Sequence, residues 1–506
     1  MHKEGLFTMK RSSGVLLPVT ALPAPHGIGT LGNEAYRFID FLAAAGQQYW
    51  QILPLGPTSF GDSPYQPFSS FAGNPYLIDL DALVEEGLLT VEEVSAVDWG
   101  NDPARVDYGK IYASRLPMLR RAFDRADAHL RAEAAAFAEE NAAWLPDYAL
   151  FMALKQHFGM RAWTQWEDAD IRLRKPEAVQ AWRERLSADV EFLTFVQYLF
   201  YRQWDALKAY AGAHNVKLIG DLPIYVAMDS ADVWAGPQNF QLDETNTPTA
   251  VAGVPPDSFS ADGQLWGNPL YRWDEMRADG YRWWMNRIAG AARLYDVLRI
   301  DHFRGLESYW SIPYGAKNAC CGEWVQGPGV EFVDAVRTHF PDLPIIAEDL
   351  GFLSEEVYAL LAASGFPGMK VLEFAFDSRE PGEYRPHTYP ENCVCYTGTH
   401  DNMPLMGWRE DAAPKDVAHA EAYLGLNERE GFNWGMIRGG MCSRAVLFVA
   451  QMQDYLGLGA ESRMNTPSTL GCNWQWRMKK GACTPALAEK MHFYTELFGR
   501  LPDETR

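Results

Sequence analysis

Short apolar runs recur along the chain, separated by longer stretches in which apolar residues return every three or four positions. The runs span residues 14–17, 49–55, 217–223, 297–303, 344–350, 369–374, 394–399 and 462–465. Several are continuous rather than alternating, the pattern of parallel strands buried on both faces. Helical periodicity fills residues 34–45, 192–214, 280–294 and 355–363 between them. Strand–helix alternation repeated in this way predicts the α/β class, as a (β/α)8 TIM barrel rather than an open doubly wound sheet. Gly27-Ile28-Gly29-Thr30-Leu31-Gly32 has the letters of a dinucleotide-binding turn. It lacks the strand context and the acidic partner that would give those letters weight.

The spacing of the runs is uneven. Residues 56–216 separate the second run from the third and are mostly helical, far longer than an ordinary crossover. They are expected to form an inserted helical subdomain, with its clearest helix at 118–141, opening just after Pro117. Residues 225–272 are rich in Pro, Gly, Asn and Asp and read as a second insertion made of loops, with 253–267 placed to cover a site. The whole chain, 1–506, is then one catalytic barrel enlarged by insertions.

Composition narrows the function. Lys plus Arg is 45 against 66 for Asp plus Glu, a net charge of −21 that repels phosphate backbones and anionic membrane surfaces. No nucleic acid and no membrane partner is expected. The 18 Trp and 23 Tyr supply flat apolar faces with polar edges, which suit a sugar as well as they suit a core. Lys10 and Arg11 ahead of an apolar stretch imitate a signal peptide, but Pro18 and Pro23 interrupt it. Seven cysteines without a C-x-x-C pair point to idle thiols in a reducing compartment, so a cytoplasmic protein is expected.

The candidate chemistry lies where the runs end. Asp221 closes the third, Arg299 and Asp301 the fourth, Glu348 and Asp349 the fifth, and His400 and Asp401 follow the seventh. Carboxylates at these positions share one barrel mouth. Arg299 and Asp301, two apart on a strand, share a face, and the guanidinium favours an ionised carboxylate fit for nucleophilic attack. Glu348 and Asp349 must face opposite ways; Glu348 is the better proton donor and Asp349 the better turn residue. A retaining glycosidase needs this pair of acids. The residues alone leave transfer and hydrolysis both open. They also fit an enolase-type Mg²⁺ site built from Asp221, Asp301 and Glu348, against which Arg299 would compete, or a sugar-binding protein with an idle barrel.

Eight motifs carry a resemblance over nearly the whole length: Ser63-Pro64-Tyr65-Gln66, Phe71-Ala72-Gly73-Asn74-Pro75-Tyr76, Gly220-Asp221-Leu222-Pro223, Gly253-Val254-Pro255-Pro256-Asp257, Trp266-Gly267-Asn268-Pro269, Arg299-Ile300-Asp301-His302, Ala347-Glu348-Asp349-Leu350-Gly351 and Thr399-His400-Asp401-Asn402. In this order they resemble the amylomaltases, the 4-α-glucanotransferases of glycoside hydrolase family 77. The resemblance implies Asp301 as nucleophile, Glu348 as acid/base and Asp401 as stabiliser of the transition state. It implies substrate contacts from Tyr65, Asp221, Gln264, Trp266, Arg299, Asp377, His400 and Asn465. Trp474 and Trp476 read equally as a sugar platform or as core. No cofactor and no metal is implied, the partner is a maltodextrin or other α-glucan, and the chain is expected to work as a monomer or weak homodimer. Ser258 stands where an aromatic ring is expected, and Val19 and Ala24-Pro25-His26 also depart from the family wording.

Overall fold

The computed structural model describes residues 9–256, 260–351, 353–378 and 384–502. Eight parallel strands form its centre: β1 Ser12–Leu16, β2 Tyr49–Gln51, β3 Lys217–Leu222, β4 Val297–Ile300, β5 Ile345–Ala347, β6 Gly368–Val371, β7 Cys393–Tyr396 and β8 Leu447–Gln451. They neighbour one another in the order β6-β7-β8-β1-β2-β3-β4-β5, and the Ala347 N–H donates to the Pro367 carbonyl (3.0 Å), which brings the two ends of the sheet together into a barrel. Nearly every strand residue is buried, so the runs are apolar on both faces for the reason anticipated.

The eighth strand differs from the sequence expectation. It is Leu447–Gln451, paired with both β1 and β7. Ser462 ends a 3-10 turn and Asn465 lies in a loop. A nonperiodic apolar run such as 445–450 fits a buried helix as well as a strand, and only the two flanking partners decide it.

Between β2 and β3 the chain forms a series of helices ending in the long helix Ser187–Ala213, which packs on Leu145–His157 and Ala128–Glu140. The expected helix at 118–141 is two helices, Tyr108–Arg125 and Ala128–Glu140. Asp127 caps the second by accepting from the Leu130 N–H (2.8 Å), an alternative to helical pairing that stops the first. Pro117 lies inside the first helix instead of opening one.

Residues 225–272 are more regular than their composition suggests. Ala250–Val254 and Gln264–Pro269 belong to an antiparallel sheet completed by Ser308–Pro313 and Glu323–Gln326. Residues 255–263 connect the first two strands, and the expectation for Ser258 lies outside the described residues. Among the described residues no helix is long and apolar enough to cross a membrane.

Candidate active site

The parallel register places the acids. Asp221 of β3 lies opposite Arg299 of β4, and Ile300 opposite Ala347 of β5. One step further, Asp301 and Glu348 leave neighbouring strands side by side, where strand spacing is about 4.8 Å. Arg299 Nη1 donates to both oxygens of Asp221 (2.7 Å each) and to Asp301 Oδ1 (2.8 Å). The guanidinium is 4% exposed and Asp221 0%, whereas Asp301 is 30% exposed, so Asp301 is the member of this trio that a ligand can reach. Burial opposes the charge on Arg299, but Asp221, Asp301, Tyr65 and Glu348 outweigh it and hold the guanidinium protonated. Burial raises the Asp221 carboxyl, and Arg299 pulls it back.

Glu348 is buried beside this pair. Its Oε2 accepts from the His302 N–H (2.7 Å) and its Oε1 from the Leu350 N–H (2.8 Å). Burial, with the Asp301 charge added, pushes its pKa up to about 8 against the opposing pull of Arg299 and the two N–H groups. His302 has φ 54°, a left-handed conformation uncommon for a residue with a side chain, and this turn aims its N–H at Glu348. Asp349 faces the other way, accepting from the Met369 N–H (2.5 Å) and tying β5 to β6.

Two further groups border the acids. On one side, Tyr65 donates to Asp221 Oδ2 (2.6 Å) and stacks on His400, with ring centroids 4.9 Å apart and planes 18° from parallel. His400 Nε2 lies 3.4 Å from Asp401 Oδ1, which also accepts from Asn465 Nδ2 (2.6 Å). Asp401 is 44% exposed, the most open of the acids in the mouth. Trp474 is tilted against both Tyr65 and His400 and is buried, so its ring backs the site; Trp476 is buried as well.

On the other side, Trp266 meets His302 edge-on at 4.9 Å and donates its indole N–H to Gln264 Oε1 (3.1 Å). Gln264 and Trp266, two apart on a strand, share a face. Gln66 and Asn268 exchange side-chain hydrogen bonds (3.1 and 3.4 Å), joining the Tyr65 segment to the Trp266 strand. Asp377 stands farther along the chain, half-buried after the turn Leu372–Phe376 that leaves β6. His302 is the residue that sequence reasoning left without a role. Its place beside Asp301 was visible, but its left-handed backbone was not.

Arg299 occupies the space between Asp221 and Asp301, and among the described residues no three His, Cys, Asp or Glu side chains converge as a metal site would require. The arrangement is two neighbouring carboxyls of unlike environment, one exposed and paired with a cation, one buried and proton-retaining. That is the acid–base asymmetry of a glycoside-cleaving site.

Comparison with known proteins gives the family. The glycoside hydrolase 77 model, described as 4-alpha-glucanotransferase, matches residues 17–484. A 4-alpha-glucanotransferase from Clostridium butyricum is 48% identical over 95% of this chain and 99% of its own. Another from Thermus thermophilus is 47% identical over 97% of this chain and 100% of its own. The solved amylomaltase from Streptococcus agalactiae, in complex with acarbose, superposes with a TM-score of 0.95 at 43% identity, covering 97% of this chain and all of that one. The chain belongs to the 4-α-glucanotransferases of glycoside hydrolase family 77.

Proposed function

We propose that the enzyme moves α-1,4-glucan segments between maltodextrins by a retaining double displacement. Asp301 attacks the anomeric carbon while Glu348 protonates the departing glucan oxygen. Glu348, now a base, then takes the proton from the 4-hydroxyl of an acceptor glucan, whose oxygen displaces Asp301. Two inversions leave the configuration unchanged. Asp401 and His400 bind sugar hydroxyls as positive charge develops on the ring, with Asn465 orienting Asp401. Tyr65, Asp221 and Arg299 shape the donor side, Gln264 and Trp266 the acceptor side, and Asp377 contacts the glucan farther out. The leaving group is handled by a proton, so the reaction as written uses no cofactor or metal. The S. agalactiae relative holds acarbose, which supports an α-glucan ligand here. All seven cysteines are free, which suits a reducing, cytoplasmic setting.

The observation that carries this reading is the split between Asp301, 30% exposed and bonded to Arg299, and Glu348, buried with its pKa pushed to about 8. The rival outcome is hydrolysis of the same covalent intermediate. Incubation with maltotriose, followed by chromatography and a reducing-end assay, separates the two. Glucose appearing with longer maltodextrins at nearly constant reducing ends is expected. A steady rise in reducing ends would mean that water, not sugar, accepts the glycosyl group.

A further inference from the structure

Asp401 and His400 ride on residues 398–404, which leave β7 and end where the helix Leu405–Asp411 begins. Both ends of this loop return to a single buried side chain. Thr397 Oγ1 donates to Asp454 Oδ2 (2.6 Å), and the Leu405 N–H donates to Asp454 Oδ1 (2.7 Å). Thr397 and Asp454 are both 0% exposed. Asp454 sits on the helical turn Met452–Leu456 that follows β8, and its own carbonyl accepts from Asn433 Nδ2 (2.8 Å). The carboxylate is therefore anchored to the barrel independently of the loop it holds.

The loop itself has little freedom between these anchors. Asn402 Oδ1 accepts from both the N–H and the hydroxyl of Thr399 (2.8 Å each). A Cβ on Gly398 would stand 3.0 Å from Gln451 Nε2 and 3.3 Å from Glu373 Oε1, so the loop starts close against buried polar groups. On its outer side Arg463 Nη2 donates to the Asp401 carbonyl (2.6 Å).

We infer that Asp454 is a positioning residue for glucan transfer: by clasping Thr397 and Leu405 together, it sets where Asp401 enters the barrel mouth. Neither loop end can shift without leaving a buried carboxyl oxygen unpaired. A small misplacement of a group that acts on the transition state lowers turnover more than substrate binding. The inference rests on reading Asp401 as the third acid of the proposed mechanism.

A double-mutant cycle tests it, using α-maltotriosyl fluoride as donor so that slow variants stay measurable. Thr397→Val keeps the shape and removes one arm of the clasp; Thr397→Ser keeps the arm. Thr397→Val is expected to lower kcat about tenfold or more with KM changed by less than about threefold, while Thr397→Ser stays within about twofold of the parent. In an Asp401→Asn background the same Thr397→Val change is expected to cost less than about twofold, because its target is already gone. Thr397→Ala, which removes the same arm without adding a methyl beside the carboxyl group, is measured the same way and replaces Thr397→Val if that variant fails to fold. Full kcat in Thr397→Val, or an equal loss with and without Asp401, overturns the clasp. Full activity in Asp401→Asn alone overturns instead the role given to Asp401.

Discussion

A single nitrogen of Arg299 lies 2.7 Å from both oxygens of Asp221 and 2.8 Å from Asp301. A lysine ammonium is a point charge on a flexible stem and does not reproduce a guanidinium's fixed geometry. Arg299→Lys is expected to lower kcat/KM by about a hundredfold or more, read from initial rates on maltotriose, because Asp301 loses the contact that orients it. Glu348 supplies a second residue-scale prediction. In the proposed mechanism it must carry a proton to cleave the donor, and burial pushes its pKa up to about 8. Activity on maltotriose should therefore fall as pH rises through about 8, where that proton is lost. Single-turnover cleavage of a glycosyl fluoride, whose leaving group needs no proton, should lack that limb. The acids themselves were legible in the sequence because each ends an apolar run and strand alternation dictates which of two neighbours faces the mouth. Thr397, Asp454 and the left-handed His302 were not, since their contacts join segments that sequence spacing does not relate.

At the scale of elements, the proposed mechanism has the acceptor met by the strand Gln264–Pro269. Its Trp266 is braced by His302 and Gln264, so the ring is held ready instead of being ordered by the ligand. Trp266→Ala is expected to shift the partition from transfer toward hydrolysis by roughly tenfold, the equivalent of about 1.4 kcal/mol of lost stacking. The ratio of released glucose to lengthened products measures it. The two outcomes at this scale have different causes. Seven of the strand positions were readable because buried parallel strands are continuous apolar runs, whereas 445–450 shares that composition with a buried helix. The small antiparallel sheet was hidden for the opposite reason: its strands carry Gly, Pro, Ser and Gln, residues that read as loop when their partner strands are unknown.

Over the whole molecule, most of the aromatic surplus is structural: Trp50, Trp163, Trp166, Trp204, Trp234 and Trp284 are all fully buried, while Trp266 is half-buried beside the acids. The length surplus follows the same division, with the helices between β2 and β3 packed on one another and the small antiparallel sheet reaching His302 through Trp266. The proposed chemistry rests on a small set of residues around Arg299, and at its centre Asp301 carries the glycosyl group between donor and acceptor. The most direct test is the intact mass of the Glu348→Gln variant after exposure to α-maltotriosyl fluoride. That donor can form the intermediate without acid assistance, and the variant lacks the base that would discharge it. The expected result is a mass increase of one maltotriosyl unit, mapped by peptide digestion to Asp301. Donor turnover with no adduct, or an adduct on a different residue, would contradict the account.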